Sequence, residues 1–227
     1  MAEATAGYDL ASAEGPPIRS SQFAWNGKVM FENNNDGYHA SKLHQGPLHD
    51  FVPSELAVFP DSDPSDAGFL RFNGTLHPDA SFNPTQKAAP PIFPNLTQAD
   101  RARMTFANVP PTLSLVLTND LVIYLILRAT GPETMEQDTG VPVAPGAMED
   151  PGFDHRLEMI MTSAGKIIAQ DRHVDALVQV GLRRASRPAA AIPGGKARRA
   201  SSIPGWRHAT GRPGRSRRRP KPRPARR

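Results

Sequence analysis

Short apolar runs along the middle of the chain predict strands. Residues 113–117 and 121–127 are rich in β-branched and other apolar residues, and three turn-forming residues separate them, so we expect a buried hairpin. Residues 51–59, 67–72 and 156–162 each predict a further short strand. The chain is therefore expected to build a β-sheet.

Three other segments have the spacing of helices. Residues 29–45 form the first, although five weak helix formers in a row interrupt it. Residues 95–107 predict a short helix, with Thr97 as its cap and Asp100 three residues later. Residues 171–182 place apolar side chains on one side. Together with the strands, these helices predict an α+β fold, an antiparallel β-sheet with helices on one face.

Charge divides the chain near residue 183. Residues 1–182 contain 22 acidic and 11 basic residues, whereas residues 183–227 contain 16 basic residues and no acidic one. The high pI therefore belongs to the end of the chain and does not by itself indicate nucleic-acid binding. We expect residues 1–21 to form a flexible lead-in, residues 22–182 the folded catalytic domain, and residues 183–227 a disordered Arg/Pro-rich tail.

Two interpretations of the basic tail stay open. Its composition suits an arm that binds nucleic acid or another anionic surface. However, 14 of its 16 basic residues are Arg, and Arg, Pro, Ala and Gly all have GC-rich codons, so a frameshift in a GC-rich gene would produce the same pattern. We favour the frameshift and do not expect a nucleic-acid partner, because no nucleic-acid-binding fold accompanies the tail.

Composition also excludes several kinds of site. The chain has no Cys, which excludes disulfides, zinc–thiolate sites and a cysteine-ligated [2Fe–2S] cluster. The most apolar stretch, residues 112–130, is interrupted by Asn119, Asp120 and Arg128, which argues against a membrane span. No cationic region followed by an apolar run opens the sequence, so we expect no secretory signal and a cytoplasmic location.

Two histidines near carboxylates carry the candidate chemistry. His39 and His44 follow Glu32 and Asp36, and imidazole together with carboxylate suits a borderline metal such as Fe(II). On a regular helix the two imidazoles would point about 140° apart, so the helix must be distorted, for example by a π-type bulge, before both face one ion. On spacing alone, the alternative is two surface histidines on a polar helix.

This segment resembles the catalytic-domain signature of Rieske-type aromatic-ring-hydroxylating oxygenase alpha (large) subunits. The residues at matching spacings are Lys28, Glu32, Asn33, Asp36, Tyr38, His39 and His44. The family tryptophan that precedes the lysine is missing, since Gly27 stands in its place. Gln170-Asp171, followed by Gln179 and Gly181-Leu182, resembles the downstream pattern that contains the family's third iron ligand.

The resemblance implies a role for each matching residue. His39, His44 and Asp171 would hold a mononuclear Fe(II), with Asp175 as the alternative to Asp171. Asp36 would link this site to the Rieske cluster of a neighbouring subunit. Without the family, Asp171 is an ordinary helix cap and Asp36 a turn or capping residue.

Two supporting residues and the fold complete what the resemblance implies. Asn33 and Tyr38 match family positions near the site, and both also suit simple packing. The implied fold is a helix-grip-like catalytic domain.

The implied function is insertion of oxygen from O2 into an aromatic or related apolar substrate at the mononuclear Fe(II) site. Because the chain has neither Cys nor room for a Rieske domain, its electrons would come from a Rieske centre on another chain, and a homo-oligomer is compatible with the family. Two alternatives remain: an inactive truncated remnant of such an enzyme, and a basic-tailed nucleic-acid-binding protein.

Overall fold

A single antiparallel sheet of seven strands forms the centre of the computed structural model, which describes residues 2–44, 47–61 and 68–183. The strands lie in the order β1-β7-β6-β5-β4-β3-β2. They are β1 (Arg19–Phe23), β2 (Ala57–Val58), β3 (Phe69–Gly74), β4 (Arg103–Val109), β5 (Leu113–Leu117), β6 (Val122–Gly131) and β7 (Thr134–Gly140). The predicted α+β class with an antiparallel sheet is confirmed.

Two helices account for most of the helical residues. The helices are α1 (Ala2–Thr5), α2 (Gly27–Asn35), α3 (Ala40–Leu43), α4 (Pro47–Phe51), α5 (Gln98–Arg101) and α6 (Phe153–Leu182), with 3-10 turns at Ala6–Tyr8, Ser54–Leu56 and Ala147–Glu149. The longest two, α2 and α6, pack on one side of the sheet. The predicted disordered tail lies outside the described residues from residue 184 onward.

Apolar contacts between α2 and the sheet position the start of the candidate site. Val29 and Phe31 of α2 are buried against Leu125, Leu127 and Met135 of β6 and β7. These strands belong to the predicted apolar hairpin and its continuation, and β5 and β6 pair antiparallel as expected. Complete burial of one such aromatic side chain contributes about 2–3 kcal/mol, so α2 is held firmly against the sheet.

Helix α6 differs from its prediction in length. It runs without interruption from Phe153 to Leu182, so the strand predicted at residues 156–162 is wrong. Its buried residues Phe153, Ile160 and Ala164 follow helical spacing, and Phe153 and Ile160 belong to one apolar cluster with Leu121 and Val143 beside the sheet. Three alternating apolar residues were too short a pattern to separate a strand from a helix of this kind.

Two further predictions were wrong in type. Residues 51–59 contain the end of α4, a 3-10 turn and the two-residue strand β2, and residues 95–107 contain a four-residue helix followed by β4. The capping box of Thr97 and Asp100 is present as predicted, but it caps only α5. Pairing of β4 with β3 and β5 on its two sides overrides local helical propensity.

The N-terminal residues are packed, which differs from the expected flexible lead-in. Tyr8 is 2% exposed and its ring meets Phe93 edge-on at 5.2 Å. Strand β1 begins at Arg19 and pairs with β7. The physical reason is that β7 offers an unpaired backbone edge and the core offers an apolar site for Tyr8, and neither can be seen in the local sequence.

Candidate metal centre

A break in the helix between α2 and α3 brings the ring nitrogens of the two histidines together. Helix α2 ends at Asn35, and the chain turns at Asp36, whose Oδ1 accepts a hydrogen bond from the Tyr38 backbone N–H at 2.8 Å. His39 and His44 then flank the short helix α3. The expected distortion is therefore a complete interruption of the helix and not a π-type bulge, and the weak helix formers at this point explain it.

The imidazoles of His39 and His44 meet at their outer nitrogens. Their Nε2 atoms are 3.1 Å apart, and the ring planes are inclined at 74°. His44 is 1% exposed, whereas His39 is partly exposed at the rim. Two ring nitrogens thus point at the same small volume.

Asp171 completes the cluster from the middle of α6. Its Oδ1 lies 3.0 Å from the His44 Nε2 and 3.7 Å from the His39 Nε2. The structure therefore brings together the three predicted ligands, whose ligand atoms all lie within 4.8 Å of one another. Asp171 lies far inside α6, so the alternative interpretation of this residue as a helix N-cap is wrong.

Electrostatics explain why these three atoms require something positive between them. A neutral imidazole nitrogen without hydrogen and a carboxylate oxygen are both electron-pair donors, and such atoms repel one another at 3 Å unless a proton or a metal ion lies between them. Burial lowers the pKa of His44, but the hydrogen bonds to Asp171 and Gln170 and the Asp171 charge raise it overall. The cluster therefore attracts a proton, and a metal ion meets the same need at three donors at once.

The two histidines differ in what lies beside their other ring nitrogen, Nδ1. His44 Nδ1 lies 2.9 Å from Gln170 Oε1, and His39 Nδ1 lies 3.7 Å from the Asp36 carboxylate, beyond hydrogen-bonding distance. Burial opposes ionisation of Asp36, yet the His39 imidazole and the Tyr38 amide lower its pKa. Gln170 belongs to the downstream sequence pattern that contains Asp171, but the sequence assigned no role to this glutamine.

Asn33 connects α2 to two carboxylates of α6. Its Nδ2 donates to Asp171 Oδ1 at 3.2 Å and to Asp175 Oδ1 at 3.3 Å. Asp175 is 2% exposed, and burial raises its pKa to about 6 although the Asn33 hydrogen bond lowers it. Asp175 contacts the same Asn33 amide as Asp171 does, and it lies outside the cluster of three ligand atoms.

The other predicted site residues lie at the surface. Asp36 has a side chain that is 47% exposed, and Tyr38 is 71% exposed, so Tyr38 does not line the metal cluster. Both residues belong to the turn that precedes His39.

Arg71 is a buried residue that sequence reasoning did not identify. It lies on β3 beneath the end of α2, donates to the Asn34 carbonyl at 2.9 Å and stacks on Phe106 at 3.7 Å. Burial lowers its pKa to about 10. A cation at the carbonyl end of a helix is favourable, and here it fixes the chain just before Asp36. Its signal in the sequence was a charged residue within an otherwise apolar strand.

Comparison with known proteins identifies the family of the chain. The sequence model of the ring hydroxylating alpha subunit (catalytic domain) matches residues 8–211. The chain belongs to this family. Its members are oxygenases that use non-haem iron in this domain, and the chain itself contains no Cys for a Rieske cluster.

Solved structures show the same fold. A quaternary ammonium Rieske monooxygenase, described for carnitine oxidation by gut microbiota, aligns with a TM-score of 0.60 and 14% identity over 80% of this chain and 44% of that chain. The same type of enzyme in complex with L-carnitine gives 0.57 and 14% over 82% and 43%. Dicamba monooxygenase bound to 3,6-dichlorosalicylic acid gives 0.50 and 13% over 79% and 54%.

The present chain spans less than half of the quaternary ammonium monooxygenases that it resembles. No curated protein sequence matches the chain significantly. Among the helices of the described part, none combines the length and the apolar character that crossing a bilayer needs.

Proposed function

We propose that His39, His44 and Asp171 hold one Fe(II) ion and that this centre serves oxygen insertion into an aromatic or related apolar substrate. The observation that carries the proposal is the convergence of three electron-pair donors at separations of 3.0, 3.1 and 3.7 Å. Donors that bind one ion through bonds of about 2.1 Å at roughly right angles lie about 3 Å apart. Two histidines and one carboxylate are the donor set of non-haem Fe(II) oxygenases.

The chain's own residues would prepare this site for the metal. When bound, Fe(II) supplies the redox chemistry with O2. Gln170 accepts the hydrogen on His44 Nδ1, which leaves Nε2 free as a ligand, and Asn33 donates to the Asp171 oxygen that faces both imidazoles. Burial of His44 keeps bulk water away from its side of the site.

Electrons would reach the site from a Rieske centre on another chain, because this chain has no Cys. Asp36 is suited to the contact with that chain. Its carboxylate is half exposed and lies next to the His39 ring, at the only turn that joins α2 to α3. A cytoplasmic location and assembly with further copies of the chain are parts of the same proposal.

The alternative of an oxygenase remnant, which would bind iron without turnover, stays a prediction that the turnover assay below decides. The nucleic-acid alternative rests on the tail beyond residue 183, which lies outside the described residues, and it stays a prediction.

Metal stoichiometry is the first test. The full chain is loaded anaerobically with Fe(II), separated from free metal and analysed, beside the His39→Ala/His44→Ala and Asp171→Ala variants. We expect about one iron per chain in the wild type and loss of most of it in both variants. His155→Ala, an exposed histidine on α6, is the matched control and should bind as the wild type does. Equal binding by all variants would contradict the site.

Turnover separates an active oxygenase from a remnant. The iron-loaded chain is supplied with a Rieske protein and reductant, or with peroxide in their place, and with a panel that contains aromatic acids and quaternary ammonium acids. Products that carry oxygen from O2 or peroxide, and that disappear in Asp171→Ala, indicate the oxygenase. Stoichiometric iron without product under either condition indicates the remnant.

A further inference from the structure

Two carboxylates of α6 share one amide nitrogen of α2. Asp171 and Asp175 are four residues apart and therefore lie on one face of the helix. The Asn33 Nδ2 lies 3.2 Å from Oδ1 of Asp171 and 3.3 Å from Oδ1 of Asp175. An amide nitrogen carries two hydrogens, so it can donate one to each carboxylate.

Asp175 is unusual among the acidic residues of its helix. It is 2% exposed, and within the described part of the chain its Oδ2 has no hydrogen-bond partner. Asp154 and Glu158 of the same helix are exposed. A buried carboxylate with one oxygen unpartnered lowers the stability of the fold. Asp175 is also not one of the three residues whose ligand atoms form the cluster.

An amide side chain has two orientations that differ by exchange of its nitrogen and oxygen. If Asp171 were the only acidic neighbour, rotating the Asn33 side-chain amide by half a turn would place its oxygen against one carboxylate, that of Asp171. With acceptors on both sides, that turn would set the amide oxygen against two carboxylates at once. The second carboxylate therefore selects the orientation in which Asn33 donates.

We propose that Asp175 is a positioning residue of the metal centre, which holds the Asn33 amide in the orientation that donates to Asp171 Oδ1. This inference rests on the proposed function, since Oδ1 is the atom that faces His44 and His39. The hydrogen bond fixes the Asp171 carboxylate with that oxygen toward the two imidazoles. Asp175 thus acts through Asn33 and does not bind the ion.

The test measures metal affinity of the full chain with Co(II) as the probe, followed by its visible absorption in competition with a chelator. We expect Asp175→Ala to weaken Co(II) binding about tenfold, which is the usual effect of losing a partner that orients a ligand. Asn33→Ala should weaken it to the same extent, and the double variant should be no weaker than either single one. Asp154→Ala is the matched control and should bind as the wild type does.

The conservative variant distinguishes positioning from ligation and from a merely structural role. Asp175→Asn keeps an oxygen that accepts from Asn33, so its Co(II) affinity should stay within about threefold of the wild type. If Asp175→Asn loses metal as Asp171→Ala does, Asp175 is a ligand and the inference is wrong. Additive losses in the double variant would also overturn it, because the two residues would then act separately.

Failure of this inference differs from failure of the proposed function. A wild-type chain that binds no Co(II) and no Fe(II) contradicts the metal site itself. A wild-type chain that binds metal through His39, His44 and Asp171, while Asn33→Ala binds equally well, contradicts only the positioning role. Asn33→Ala gives this answer even if Asp175→Ala does not fold.

Discussion

His44 Nδ1 lies 2.9 Å from the side-chain oxygen of Gln170, the residue that precedes Asp171 on α6. An amide oxygen only accepts, so His44 Nδ1 carries a hydrogen, and in the neutral imidazole the Nε2 electron pair then faces Asp171 and His39. One turn of helix thus supplies both a ligand and the group that orients another ligand. The contact between Gln170 and Nδ1 also explains how the buried His44 keeps its Nε2 available as a metal ligand.

Gln170→Leu should weaken Fe(II) or Co(II) binding about tenfold, because the His44 ring loses the acceptor that fixes its tautomer and orientation. Gln170→Glu retains an acceptor and should bind at least as tightly as the wild type. The measurement is equilibrium competition with a chelator. Gln98→Leu, at an exposed glutamine of α5, is the control. Unchanged affinity in folded Gln170→Leu would show that His44 is positioned by packing alone.

Asp36→Asn should separate metal binding from electron delivery. The Asp36 carboxylate is 3.7 Å from His39 Nδ1 and 47% exposed, so we expect about one iron per chain to remain. Turnover with a Rieske protein should fall about tenfold, because the proposed contact with the Rieske chain loses its carboxylate. Peroxide-driven turnover needs no such contact and should not change. A parallel loss in both assays would place Asp36 in the metal site itself.

Spacing alone left the histidines and Asp171 open to ordinary structural roles, and the resemblance to the oxygenase family selected them; the structure brings their ligand atoms together. Neither the spacing nor the resemblance revealed how this happens. The interruption at Asp36 and the position of Asp171 within a continuous helix depend on packing of α2 and α6 against the sheet. Gln170 and Arg71 act through residues distant in sequence, so no local pattern identifies their roles.

The N-terminal segment shows the same limit in the fold. Residues 1–21 are small and polar and contain a Gly-Pro-Pro break, which is typical of a free terminus. Only the tertiary structure supplies the two features that order them, the apolar site beside Phe93 and the free edge of β7. Similarly, the segment 156–162, predicted as a strand, is helical, and its Ile160 is buried in an apolar cluster with Leu121 and Val143 that only the tertiary structure supplies.

Tyr8→Ala should therefore destabilise the fold by about 3 kcal/mol, since removal of a buried aromatic side chain loses its burial and leaves a cavity. Tyr8 is 2% exposed, and burial raises the pKa of its hydroxyl. Urea denaturation gives the free energy of unfolding. Leu10→Ala, at a side chain that is 39% exposed, should change it far less. Equal small effects of both substitutions would mean that the N-terminal segment contributes nothing to stability.

Asp138 should titrate unusually low and should make the β1 edge sensitive to acid. Arg128 Nη1 and the Ser20 hydroxyl both donate to its carboxylate, each at 2.5 Å. Arg128 foremost, and then Ser20, lower the pKa of Asp138 from 3.8 to about 2. Because the folded-state pKa is depressed, the stabilisation is present above pH 3.8 and is lost as the pH falls through about 2.

NMR titration of the Asp138 side-chain carboxyl carbon tests this directly, with an expected midpoint near pH 2 in the wild type. Arg128→Met removes the larger cause and should raise the midpoint most of the way toward the ordinary value, whereas Ser20→Ala should raise it less. The wild type should also be more stable than Arg128→Met at neutral pH, and the difference should shrink as Asp138 becomes protonated. An ordinary midpoint in the wild type would mean that these two donors do not hold the carboxylate in solution, and that pairing of β1 with β7 depends on the backbone ladder alone.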